Sequence, residues 1–159
     1  MTPDEKIQEL NLILPEPIKL PPNIEMQFSW VRISGNRVFI SGHIALNADG
    51  SISEVTGKVG GEVTVEQGYE AAKRCALNII SQAKQACNGD LNKIKSCIKL
   101  TGYVNSTEDF IDQPKVINGA SELISAVFGE NGKHVRAAIS ANSLPLGAAV
   151  EVDAIFELK

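Results

Sequence analysis

Trp30-Val31-Arg32-Ile33-Ser34-Gly35-Asn36-Arg37-Val38-Phe39-Ile40-Ser41 is the stretch that decides the fold class. Two runs rich in β-branched and aromatic residues flank Ser34-Gly35-Asn36, a tripeptide suited to a tight reversal, so the segment reads as a β-hairpin. Upstream the pattern differs. Thr2-Pro3-Asp4-Glu5 carries a capping Thr, a first-turn Pro and a Glu three residues on, which together start a helix. Ile7, Leu10 and Ile13 recur at helical spacing, and the prolines clustered between Pro15 and Pro22 force an extended connector. Residues 1–22 therefore read as a helix and Pro-rich connector appended to a single domain over 23–159.

Downstream, Asn47-Ala48-Asp49-Gly50 is a turn, and Gly57 to Gly61 an irregular glycine-rich approach. Thr64-Val65-Glu66-Gln67 is a second capping box. It opens a long helix with Val65, Ala72, Ala76, Ile79, Ile80, Ala83 and Cys87 along one side, closed by Asn88-Gly89-Asp90. Ile94 to Val104 alternates loosely and predicts a strand. After the loop Asn105–Asp109, a second helix runs from Gln113-Pro114 to Phe128. Arg136–Ala141 and Ala149–Leu158 supply two last strands. The order β-β-α-β-α-β-β predicts an α+β domain, a mixed, mostly antiparallel sheet with two helices on one face. The other face would be uncovered, which favours self-association.

The 159 residues suffice for one domain, and 43 % hydrophobic with 21 % charged residues excludes wholesale disorder. A net charge of −4 gives nucleic-acid binding no electrostatic support. No apolar run approaches a membrane span, and the N-terminal residues lack a secretory pattern. Cys75, Cys87 and Cys97 cannot all pair within one chain and none is spaced Cys-x-x-Cys, so a reducing cytoplasm is the expected location. His43 and His134 have no ligand spacing around them, so no metal is expected.

Two residues stand out as candidates for chemistry. Arg136 sits in an apolar run, Val135 to Ile139, where a guanidinium must find an acceptor. Its planar fork matches a carboxylate through two parallel hydrogen bonds, the anchor a small organic acid needs. A structural salt bridge or a solvated strand-edge Arg remains open. Glu151, with Asp153 two residues on, lies on one face of the last strand. Among small apolar neighbours its pKa would rise, suiting it to hold or deprotonate a water; a solvated face is the alternative. Ser41-Gly42-His43 ends a strand where backbone can approach a ligand, and Asn118 could direct its amide into a cleft or bond locally.

Gly35–His43, the helix after Thr64, Tyr103-Val104 with its acidic loop, Val116-Ile117-Asn118, Arg136, Leu144-Pro145 and Val150-Glu151-Val152 together resemble the RidA family, also called YjgF-like or endoribonuclease L-PSP-like. The resemblance covers roughly residues 28 to 157, and the longer Thr56–Gly60 and Asp112–Ser121 segments look like a longer branch of that family. It implies a chorismate-mutase-like fold, a homotrimer with clefts between subunits, and no cofactor. It further implies hydrolytic deamination of enamine and imine intermediates to 2-oxo acids and ammonia. Arg136 would clamp the substrate carboxylate and Glu151 would position water, with Phe28, Ser41, Gly42, His43, Asn118 and Ala138 lining the cleft. Phe28 stands where the archetype has Tyr, Ala138 where it has Cys, and His43 where many members have Gln, which leaves substrate range open. A metabolite-binding trimer without turnover is the first alternative and a ribonuclease the second.

Overall fold

The structure is a computed structural model that describes residues 1–18 and 20–159. It contains helices α1 (Pro3–Glu9), α2 (Val65–Ala86) and α3 (Gln113–Phe128), and strands β1 (Val31–Ser34), β2 (Arg37–Ile44), β3 (Ile94–Asn105), β4 (Val135–Ala141) and β5 (Val150–Leu158). The sheet order is β1-β2-β5-β3-β4. Every pairing is antiparallel except β3 with β4, which is parallel. A parallel pair needs a long crossover, and α3 provides it between those two strands. The expected order of elements and the mixed, mostly antiparallel sheet are both present.

Local chemistry explains where the elements begin and end. Thr2 and Thr64 each accept from the backbone N–H three residues on, while Glu5 and Gln67 reach back to the cap residue's own N–H. Asn88 and Gly89 take positive φ just after α2, the conformation that ends a helix with least cost in such residues. The first helix is shorter than the spacing of Ile7, Leu10 and Ile13 implies. It stops at Glu9, Asn11 turns left-handed, and Ile13 is exposed. Strand β3 alternates loosely because a register shift between Cys97 and Lys99 breaks its phase. Cys97 is buried before the shift, and Leu100 and Val104 are buried after it.

The core lies between the sheet and the helix layer. Phe156, Val152, Leu100, Val38, Ile79, Ile80, Ile117 and Ile124 are fully buried there. Each such side chain stabilises the fold by about 1.5–3 kcal/mol relative to exposure. Helices α2 and α3 cross closely at Gly119, where a Cβ would fall 2.1 Å from the Tyr69 carbonyl oxygen. The N-terminal segment packs on this layer as well. Ile7 joins the core, Asp4 pairs with Lys84 at 2.7 Å and accepts from the Leu91 N–H, and Ser81 donates to the Pro15 carbonyl. No helix among the described residues is long and apolar enough to cross a membrane. Among the described residues the opposite face of the sheet carries no helix, and Phe39, Val135 (67 % exposed) and Ile139 (48 % exposed) stand on or beside it.

Candidate functional site

Arg136 lies on β4, the last strand of the sheet, in register with Leu100 of β3. Leu100 is buried beneath the helices, and neighbours in a parallel ladder point the same way, so Arg136 turns toward α3. Its Nη1 donates to Ser121 Oγ at 3.0 Å and its Nη2 to the Pro114 carbonyl at 3.3 Å. Both acceptors are neutral. No carboxylate among the described residues pairs with Arg136, so its charge is held in place without being cancelled. A guanidinium has five N–H groups, so three are left for a further acceptor.

Asn118 belongs to the same stripe of α3, one turn from Pro114 and one from Ser121. Ala138 follows Arg136 on the same side, opposite Gly102. Gly102 must be glycine because the Ile117 side chain lies where a Cβ would be, 2.4 Å from its Cδ1. Arg136, Asn118 and Ala138 thus share the corner between β4 and α3.

Glu151 belongs to a second group. It lies on β5 between Ile44 of β2 and Tyr103 of β3, flanked in sequence by the buried Val150 and Val152. Strand alternation therefore turns it to the helix-free face. Gly42 sits against it, with a Cβ there only 2.7 Å from the Glu151 Oε1. Ser41 and Gly42 occupy the register shift between Ile40 and His43, the irregularity that lets the backbone approach this carboxyl. Burial first, and the neighbouring Asp153 second, push the Glu151 pKa up. Tyr103 donates to Asp153 Oδ2 at 3.1 Å. Ser41 donates its hydroxyl to the Ser29 carbonyl at 2.8 Å, so that hydroxyl is committed to the backbone.

Phe28, 56 % exposed, meets Trp30 edge-on at 5.0 Å, and Trp30 stacks on His43 at 4.8 Å. His43 itself faces inward. It is 2 % exposed, accepts from Asn78 Nδ2 of α2 at 3.2 Å, and pairs with the buried Val152. The structure therefore places His43 within the helix-side core, across the sheet from Glu151.

Within one chain Arg136 and Glu151 do not meet. They stand two strands apart, offset by three residues along the strands, and on opposite faces of the sheet. What the sequence did not single out is the support of Arg136. Ser121 Oγ lies 2.9 Å from His134 Nε2, and His134 Nδ1 lies 2.7 Å from the Gly132 carbonyl oxygen. The signal was present as helical spacing from Pro114 to Ser121 and alternation from His134 to Arg136.

A sheet of this order with two helices on one face defines a class, and the comparison with known proteins agrees. Residues 12–158 match the family model described as "YjgF/chorismate_mutase-like, putative endoribonuclease". The chain belongs to this YjgF-like, or RidA, family. It is 44 % identical over 144 residues to Protein TCP17 of Trypanosoma cruzi, covering 89 % of this chain and 88 % of that one. It is also similar to the crystal structure of protein Atu1372, of unknown function, from Agrobacterium tumefaciens. That match has a TM-score of 0.88 and 43 % identity, covering 99 % of this chain and 94 % of the other. A "putative endoribonuclease" from Shewanella oneidensis matches with a TM-score of 0.89 and 33 % identity, over 99 % and 100 % of the two chains.

Proposed function

We propose that the protein hydrolyses reactive enamine and imine intermediates to 2-oxo acids and ammonia, in clefts between the subunits of a homotrimer. The observation that carries this reading is Arg136, a guanidinium fixed by two neutral oxygens with no carboxylate partner among the described residues. Such a fork is free to grip a substrate carboxylate from one side. The anchor and Glu151 lie apart within one chain, so the reading requires Arg136 of one subunit to face Glu151 of the next. The exposed apolar residues on the helix-free face favour such association.

The chemistry follows from the two groups. The imine carbon is electrophilic, and a held water adds to it while its proton passes to the Glu151 carboxylate. The protonated Glu151 then returns that proton to nitrogen, which completes the carbinolamine. The carboxylate next takes the carbinolamine hydroxyl proton and delivers it to the amine, so the C–N bond breaks, ammonia leaves and the C=O of the 2-oxo acid forms. A carboxyl whose pKa is raised by burial suits both transfers. Orientation of substrate and water supplies the rest of the acceleration.

The test follows 2-oxo acid release from an imine generated from an amino acid. Arg136→Ala should lower kcat/KM by roughly 100-fold, since the substrate charge loses its only proposed partner. A variant as fast as the parent would remove Arg136 from the site. The family description offers RNA cleavage as a second reading. The net charge of −4 opposes it, and nuclease-free preparations should leave single-stranded RNA intact.

A further inference from the structure

We propose that Ser121 and His134 form a relay that holds the Arg136 guanidinium in one orientation, making both positioning residues for carboxylate binding. This rests on the reading of Arg136 as the anchor.

With the His134 ring neutral, the direction of each hydrogen bond follows from its partners. The Gly132 carbonyl can only accept, so His134 Nδ1, 2.7 Å away, carries the proton. In the neutral ring Nε2 then has the lone pair, and Ser121 Oγ at 2.9 Å must donate to it. That turns the lone pairs of the serine oxygen toward Arg136 Nη1, 3.0 Å away. Donors run one way, from Arg136 to Ser121 to His134 to the backbone of Gly132. A free serine hydroxyl rotates among several positions, whereas this one has a single satisfied arrangement. The neutral ring is the form that burial and the adjacent Arg136 charge both favour, since each pushes the His134 pKa down while the Gly132 bond opposes them.

The arrangement has a further consequence for the anchor. A carboxylate in place of Ser121 would hold the guanidinium more tightly but would cancel the charge the ligand needs. A hydroxyl directed by a neutral imidazole fixes the fork and leaves the charge available. The Pro114 carbonyl, two helical turns from Ser121 along α3, steadies the other nitrogen at 3.3 Å. The relay ties the edge strand to α3 at the one point where the strand carries the anchor.

The test compares the parent protein with Ser121→Ala, Ser121→Thr and Arg136→Lys. Three readouts are the Arg136 Nε–Hε resonance in 15N spectra, steady-state 2-oxo acid release, and calorimetry with 2-oxobutyrate. Ser121→Ala should shift or broaden the Arg136 resonance and raise KM and the 2-oxobutyrate Kd about 5- to 10-fold, with kcat within about two-fold. Ser121→Thr keeps the hydroxyl and should restore all three. An unmoved Arg136 resonance in Ser121→Ala, with KM as in the parent, overturns the relay. A moved resonance with no 2-oxobutyrate binding by the parent supports the relay but removes the anchor reading it was attached to. Circular dichroism melting of each variant separates these outcomes from loss of fold.

Discussion

Acidification from pH 7.5 to pH 4.5 tests the core through one side chain, His43. The ring is 2 % exposed, stacked on Trp30, and accepts at Nδ1 from Asn78. Its Nε2 therefore carries the proton, and that N–H has no partner among the described residues. Burial pushes the pKa from 6.5 down to about 4. As pH falls through about 6.5 the unfolded chain takes up a proton, but the folded protein refuses it until about 4. The unfolded state binds more protons throughout that window, so stability is fully present above it and falls as pH drops through it. The gap between the two values corresponds to roughly 3 kcal/mol, most of which is lost by pH 4.5. The assay is urea unfolding of the parent and His43→Gln at both pH values and one protein concentration. Gln keeps an acceptor for Asn78, and other titrating groups cancel in the comparison. The parent should lose about 2–3 kcal/mol more than the variant on acidification. Equal losses would show that His43 is charged without penalty in the folded protein, and the argument from its burial would fail.

Two other outcomes follow from the geometry. Glu151→Gln should lower kcat by about 100- to 1000-fold. In the parent, Glu151 must be ionised to accept the water's proton, so activity should fall on acidification with a midpoint above the ordinary 4.5, because burial and then Asp153 raise its pKa. A limb at or below 4.5, or one that persists in Glu151→Gln, would contradict that role. Gly119→Ala puts a methyl 2.1 Å from the Tyr69 carbonyl oxygen, a backbone atom that cannot swing aside. It should cost about 2–3 kcal/mol by urea titration, and an unchanged midpoint would mean that the two helices separate freely.

The elements were legible where local chemistry is strong. Both capping boxes, the Gly35 turn, the Asn88-Gly89 stop and the Gln113–Phe128 helix follow from side chains that act within a few residues of themselves. The pairing of Glu151 and Asp153 on one face followed from strand alternation alone. Legibility ended where long-range packing takes over. Ile13 keeps helical spacing with Ile7, yet the chain leaves the helix at Leu10. His43 neighbours Gly42, yet the register shift directs it to the core and leaves Gly42 against Glu151.

The amino-acid order by itself determined the succession of strands and helices, because periodicity and capping are written into neighbouring residues, and its motifs carried the resemblance to the family and pointed to one cation and one acid. Only the tertiary structure decided that Arg136 and Glu151 face opposite sides of the sheet, and that Ser121 and His134 stand behind the arginine. Those relations join residues brought together by sheet order and helix packing. No spacing along the chain encodes the face on which a charge finally stands.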